Sequence, residues 1–300
     1  MISLSGCGSL SRFSLEPLGS KEREKAPDRV LFEHYFPEWQ LVAGCCPGLY
    51  FTSARILEPR LEFWAVRADL SEPSLRIVIN SKNTSIRVSS FVRENGLLAG
   101  INAVPFEPVS SREGEKRLNV GIVVSDGVIT TQPVSSYDAL VFYKNDSGLS
   151  SVAGRAVIKP QAEIVDIGSV ENAIGGFRII LSEGELPERL FSPDTTPRHP
   201  RSAVGLSADG RTLYLLVIDG RRPGSIGATE AETGLILKKL GVTSGLNLDG
   251  GGSSALALRL SNGRVRTMNT PIHSGIPGRE RAVAACLGIK STNLTTNGAN

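Results

Sequence analysis

Short apolar runs closed by turn-forming residues dominate this chain and limit it to a strand-rich fold. Leu49–Ile56, Leu61–Ala68 and Leu75–Ile79 alternate or run apolar between polar breaks, with the period and length of strands. Val120–Val124 and Val128–Thr130 flank Ser125-Asp126-Gly127, and Ala203–Ser207 and Leu213–Asp219 flank Ala208-Asp209-Gly210-Arg211. Both read as hairpins. Leu97–Ala103, Ala139–Tyr143, Phe177–Leu181 and Gly245–Leu248 are further expected strands. The 32 glycines and 17 prolines supply turns enough to close so many short elements.

Helical signals are fewer. Thr229 and Glu232 form a T-x-x-E capping box, Leu235, Ile236 and Leu240 share a face, and Lys238 and Lys239 precede Gly241. This predicts a helix over 230–240. Ser89–Asn95 reads as a shorter helix stopped by Gly96. No repeat period is present. The expected fold class is α+β: a strand-rich single domain over 29–290, with mixed β-sheets and a few packed helices. A polar tether over 1–28 precedes it and a disordered tail over 291–300 follows.

Charge and cysteine usage narrow the function classes. The 33 basic and 30 acidic residues leave a formal charge of +3, and no basic run is interleaved with aromatics. Nucleic acid is therefore not an expected partner. Leu4-Ser5-Gly6-Cys7 resembles a bacterial lipobox and is followed by a polar stretch, Ser9–Arg29. The expectation is lipidation at Cys7, a signal sequence extending upstream of Met1, and a lipid-anchored or secreted protein of the bacterial cell envelope. Cys45, Cys46 and Cys286 make neither a disulfide framework nor a C-x-x-C spacing, and read as small buried residues. No H-E-x-x-H or similar spacing calls for a metal, and no cofactor is expected. Asp219 and Asp249 would be the ligands of any ion.

Residues 246–254, LNLDGGGSS, raise the sharpest question: why three glycines follow an apolar strand. Glycine there adds backbone entropy and no packing. One answer is an anion cradle of backbone N–H groups from Gly250, Gly251 and Gly252, with Gly250 at positive φ and Ser253 and Ser254 adding hydroxyls. Asn247 and Asp249, two apart, would face the same side of the strand. Arg201 in HPRSA, Arg221 in VIDGR and Arg281 in ERAVA each sit at the rim of an apolar strand. Together they suggest a pocket for an anionic ligand. His199, beside Pro200-Arg201, would touch it, whereas His34 and His273 read as loop or rim residues.

In order and spacing, HPRSAVGLSADGRTLYLLVIDGR, the capped helix, LNLDGGGSSALAL and ERAVAACLGI resemble the phosphodiester glycosidase family over roughly 75–290. The resemblance implies a hydrolase that cleaves a sugar-1-phosphodiester, freeing the sugar from phosphate. It further implies that Arg201, Arg221, Arg281 and the glycine loop hold the phosphate. Asn102 and Asn247 would hold sugar hydroxyls or an acetamido group. The carboxylate facing the sugar would be Asp249, then Asp219, with Glu280 and Glu107 in reserve. Gly100-Ile101-Asn102-Ala103 occupies the place of the family's Asn-Gly-Gly-Phe-Phe strand end, but here Ala103-Val104 replaces the glycines and Glu107 is gained. Two rival classes stand beside this reading: a non-catalytic envelope carbohydrate-binding lipoprotein, and a metal-dependent phosphoesterase.

Overall fold

The computed structural model describes residues 37–42, 46–80, 82–109, 112–144 and 156–293. The lipobox with Cys7, the expected 1–28 tether, His34 and Cys45 lie outside the described residues. A seven-stranded sheet runs in the order Gln40–Leu41, Leu49–Ile56, Leu61–Asp69, Thr212–Ile218, Arg201–Leu206, Ser244–Asn247, Arg178–Leu181. A five-stranded sheet is ordered Val265–Thr267, Leu256–Arg259, Ala99–Asn102, Cys286–Ser291, Leu75–Ile79. A third sheet, also five-stranded, is built around Asp138–Tyr143 and Val170–Gly176.

Period-two alternation decides what each strand face meets. Along Leu61–Asp69, Leu61, Phe63 and Ala65 join one core, while Val66 and Ala68 join another. In Thr212–Ile218 both faces are covered, so the run is apolar throughout: Leu213, Leu215 and Val217 point one way, Tyr214, Leu216 and Ile218 the other. The inner core unites the seven-stranded sheet with Ile101, Leu256 and Leu287 of the second sheet and Leu140 and Ile174 of the third. The outer core of the seven-stranded sheet is closed by Ile236, Leu237 and Leu240 of the helix Glu230–Leu240. That helix has the expected capping box, and Gly241 follows it at φ 102°. A shorter helix, Val88–Glu94, covers the second sheet through Val88, Phe91 and Val92.

Two expectations change, while the strand-rich α+β class stands. Every strand-to-strand pairing among the described residues is antiparallel, so the sheets are not mixed. Close-following strands need only turns, whereas a parallel neighbour needs a long crossover. The content is mostly β, with two α-helices among the described residues. The last strand runs through Ser291, and Thr292 donates its N–H to Ser74 O at 2.8 Å. Residues 291–293 therefore belong to the sheet margin rather than to a tail.

Candidate functional site

Arg201 begins one strand opposite Ile218, the end of its neighbour, and Ala203 pairs with Asn247, the end of the next. Beyond Asn247 the chain leaves the seven-stranded sheet and enters the second sheet at Leu256. LNLDGGGSS is this crossing. Asn102, fully buried at the end of its own strand, pins it. Its amide donates to Asp249 O at 2.7 Å, and its Oδ1 accepts from Ser202 Oγ at 2.7 Å and Ala255 N at 3.2 Å. Asn102 thus holds the two sheets together beneath the loop and presents nothing to a sugar. Ala103 and Val104 are equally buried in the inner core, and Ala103 O accepts the Asp249 N–H. The departure from the family's two glycines therefore falls under the loop, not on its surface.

Two of the three glycine N–H groups expected in the cradle are taken up within the protein. Gly250 N–H goes to the Asp249 carboxylate, Gly251 N–H to Pro200 O at 2.8 Å, and Ser253 N–H to Gly250 O at 3.2 Å. Gly251, not Gly250, takes the left-handed conformation, at φ 62° against −118° for Gly250. What the loop needs is the absence of side chains. A Cβ on Gly250 would stand 2.8 Å from Pro200 O, one on Gly251 2.9 Å from an Arg221 Nη, and one on Gly252 2.5 Å from an Arg281 Nη. Two guanidinium groups lie directly on bare backbone.

Around them sits a short chain of polar contacts. Arg281 donates from Nη1 to Ser253 Oγ at 3.0 Å and from Nε to His273 Nδ1 at 3.1 Å. The Ser253 hydroxyl bonds the Asp249 carboxylate. Burial pushes the Asp249 carboxyl up to about 6, opposed by the Ser253 hydroxyl, the Arg281 charge and the Gly250 N–H. A carboxyl there changes protonation close to neutral pH, as proton-transfer groups must. Arg221 is exposed, sits at φ 60°, and has no hydrogen-bond or ion-pair partner among the described residues. His199 is held neutral at the rim by desolvation and by the charges of Arg201 and Arg221. His273, expected as a loop or rim residue, is buried on Arg281. Its only sequence signal is proximity to the ERAVA segment.

The other predicted residues lie elsewhere. Asp219 is buried and saturated: it accepts from Arg222 Nε at 3.2 Å and Nη2 at 2.6 Å, from Asn269 Nδ2 at 3.0 Å and from Thr270 N at 3.0 Å. Arg222 is its partner and also pairs with Glu62, which Arg55 holds from the other side. Arg201 is tied down by Ala228 O, Pro197 O and Glu230. Asn247 turns to Glu230 at 3.5 Å, because the strand ends there and its alternation does not reach Asp249. Glu280 caps the helix Val88–Glu94, accepting from Ser89 N at 2.9 Å and Ser89 Oγ at 2.7 Å. Glu107 is exposed on a two-residue strand paired with Leu118, with no hydrogen bond or ion pair to the Asp249 group. Among the described residues, no three His, Cys, Asp or Glu side chains converge as metal ligands.

The chain as a whole can be placed among known proteins. The model of the phosphodiester glycosidase family matches residues 95–290, and the chain belongs to that family. It is 29% identical over 145 residues to the SPbeta prophage-derived uncharacterized protein YomE of Bacillus subtilis (strain 168), a match covering 46% of this chain and 22% of that protein. The chain thus spans about a fifth of that relative. Among solved structures, it resembles the catalytic domain of zebrafish N-acetylglucosamine-1-phosphodiester alpha-N-acetylglucosaminidase, auto-inhibited by its pro-peptide. That likeness has a TM-score of 0.58 at 19% identity and covers 86% of this chain and 89% of that one. A hypothetical protein from Synechocystis matches with a TM-score of 0.59 at 16% identity, over 84% of this chain and 64% of that one, just under two thirds. At such identities these two likenesses concern the fold.

Proposed function

We propose that this domain hydrolyses the bond between the anomeric carbon and phosphate of a sugar-1-phosphodiester. The observation that carries the reading is an Asp249 carboxyl near 6 with the Arg281 guanidinium beside it, on a loop whose Gly251 and Gly252 lie against Arg221 and Arg281. As the C1–O bond breaks, its electron pair passes to a phosphate oxygen, and a monoanionic diester becomes a phosphomonoester dianion. With a second pKa of about 6, that leaving group needs positive charge more than a proton. Arg281 is pre-placed by Ser253 and His273, and the unpartnered Arg221 meets the phosphate from the open side. The ionised Asp249 faces the oxocarbenium-like carbon as nucleophile or as base for the incoming water, whose oxygen completes the freed sugar. Neutral His199 at the rim offers a hydrogen bond to the sugar or to the group beyond phosphate.

On the strength of the Leu4–Cys7 motif, we place the protein at the bacterial envelope, acting on envelope or scavenged glycans. Cys7→Ala in the native host should then shift it out of the detergent-extracted membrane fraction. The catalytic reading is tested with activated sugar-1-phosphodiesters of both anomeric configurations. kcat/KM should fall with unit slope below pH about 6, as Asp249 takes up its proton. Activity that climbs below pH 6 would make Asp249 an acid instead. No turnover on any such diester, with sugar binding retained, would favour an envelope carbohydrate-binding protein.

A further inference from the structure

We infer that His273 is a positioning residue for phosphate: its Nδ1 fixes the Arg281 guanidinium in the plane that presents it to the anion. The inference rests on the phosphodiester reading of the same site. Arg281 carries five N–H donors in a rigid fork. One is taken at Nε by His273 Nδ1 at 3.1 Å and one at Nη1 by Ser253 Oγ at 3.0 Å. Two acceptors at opposite corners define the plane of a flat cation, and one does not. The guanidinium edge bearing Nη2 lies against Gly252, where a Cβ would approach it to 2.5 Å, so the group cannot swing toward the loop. Its remaining donors are left for a ligand.

The histidine suits this task because it is an acceptor only while neutral. Accepting at Nδ1 sets the proton on Nε2, where Ser274 Oγ lies 3.4 Å away. Burial and the neighbouring Arg281 and Arg279 charges hold the ring below its ordinary pKa, which keeps Nδ1 unprotonated at neutral pH. Ser274, at φ 54°, and Gly275, at φ 74°, form the tight turn that follows His273 between the paired residues Ile272–His273 and Ile276–Pro277. A backbone ladder therefore fixes the ring's place, and the ring in turn fixes the arginine.

The test uses the full chain with His273→Leu and His273→Asn, the asparagine Oδ1 standing near the position of Nδ1. Dimethyl phosphate, a monoanion at every pH of interest, is titrated calorimetrically at pH 7.5, and KM and kcat are measured on an activated sugar-1-phosphodiester. His273→Leu should weaken dimethyl phosphate at least about 10-fold and raise KM in parallel, with the smaller effect on kcat. His273→Asn should restore most of both. Leucine binding the anion within twofold of the parent overturns the inference. So does asparagine failing to rescue while matching the parent in thermal midpoint. Nitrogen NMR of the parent adds a check that needs no variant: His273 should show the Nε2–H tautomer, and an Nδ1–H signal overturns the assignment. A parent that binds dimethyl phosphate in this His273-dependent way yet turns over no sugar phosphodiester would leave the inference standing and remove the glycosidase reading. A parent that does not bind the anion removes both.

Discussion

Asp219 and Asp249 look alike in sequence. Each closes an apolar strand and opens onto glycine, as VIDG and as NLDG. In the fold they are opposites. Asp219 is 1% exposed and accepts from Arg222, Asn269 and Thr270, one link in a line of charges, its two carboxylates buried, that runs through Glu62 to Arg55. Asp249 is half-buried, held by one hydroxyl and one backbone N–H, with Arg281 nearby. Burial pushes both carboxyls up, but Asp219 is filled by its donors, whereas Asp249 keeps acceptor capacity beside Arg281. A carboxylate whose lone pairs are all taken holds structure together. One left partly unsatisfied is available for chemistry.

The contrast can be broken most directly at Asp249. Asp249→Asn keeps the shape and removes the charge, so kcat should fall at least about 1,000-fold, about 4 kcal/mol of barrier, with KM nearly unchanged. Near-parental kcat would return Asp219 to the catalytic role. Asp219→Ala should show the complementary loss. Removing one partner from a buried ion pair costs about 3–5 kcal/mol of stability, and Arg222 would be left facing Glu62 alone. Urea denaturation of that variant should give a lowered midpoint, while the remaining folded protein keeps its kcat. A stable variant with lost turnover would erase the distinction.

Asp249 has its carboxyl raised from 3.8 to about 6 in the folded chain, so its contribution favours folding fully below pH about 4. That contribution is lost as pH rises through about 6, a span worth at most about 3 kcal/mol and less with partial solvent access. Asp249→Asn, which does not titrate, should therefore gain stability relative to the parent between pH 4 and pH 8, by about 2 kcal/mol in paired urea titrations. A pH-independent difference would mean that the carboxyl has an ordinary pKa. The smallest effect belongs to Glu280. Glu280→Gln weakens a cap on the helix Val88–Glu94 and should cost about 1 kcal/mol. Its kcat should stay within twofold, and a large drop would put Glu280 back among the catalytic carboxylates.

What the sequence determined by itself is what neighbours along the chain decide. The helix Glu230–Leu240 follows from Thr229, Glu232 and Gly241, which lie within twelve residues of one another in sequence. The turn through Asp126 and Gly127, at φ 49° and 75°, follows from their own left-handed tolerance. Strand runs were legible to within a few residues: Val120–Val124 proved to be Val123–Ser125, and Leu97–Ala103 proved to be Ala99–Asn102. The glycine loop and the arginines at strand ends were also visible, because bare backbone and rim charge are local anomalies. Only the tertiary structure decided who meets whom. Arg222 rather than Arg221 faces Asp219 because Arg221 sits at φ 60° and its side chain leaves the other way. Glu280 reaches Ser89 across 191 residues, Asn102 reaches Asp249 across 147, and His273 meets Arg281 only once a two-strand turn folds it back. A carboxyl's role depends on the donors and the solvent around it, and those are brought by strands far apart in the chain.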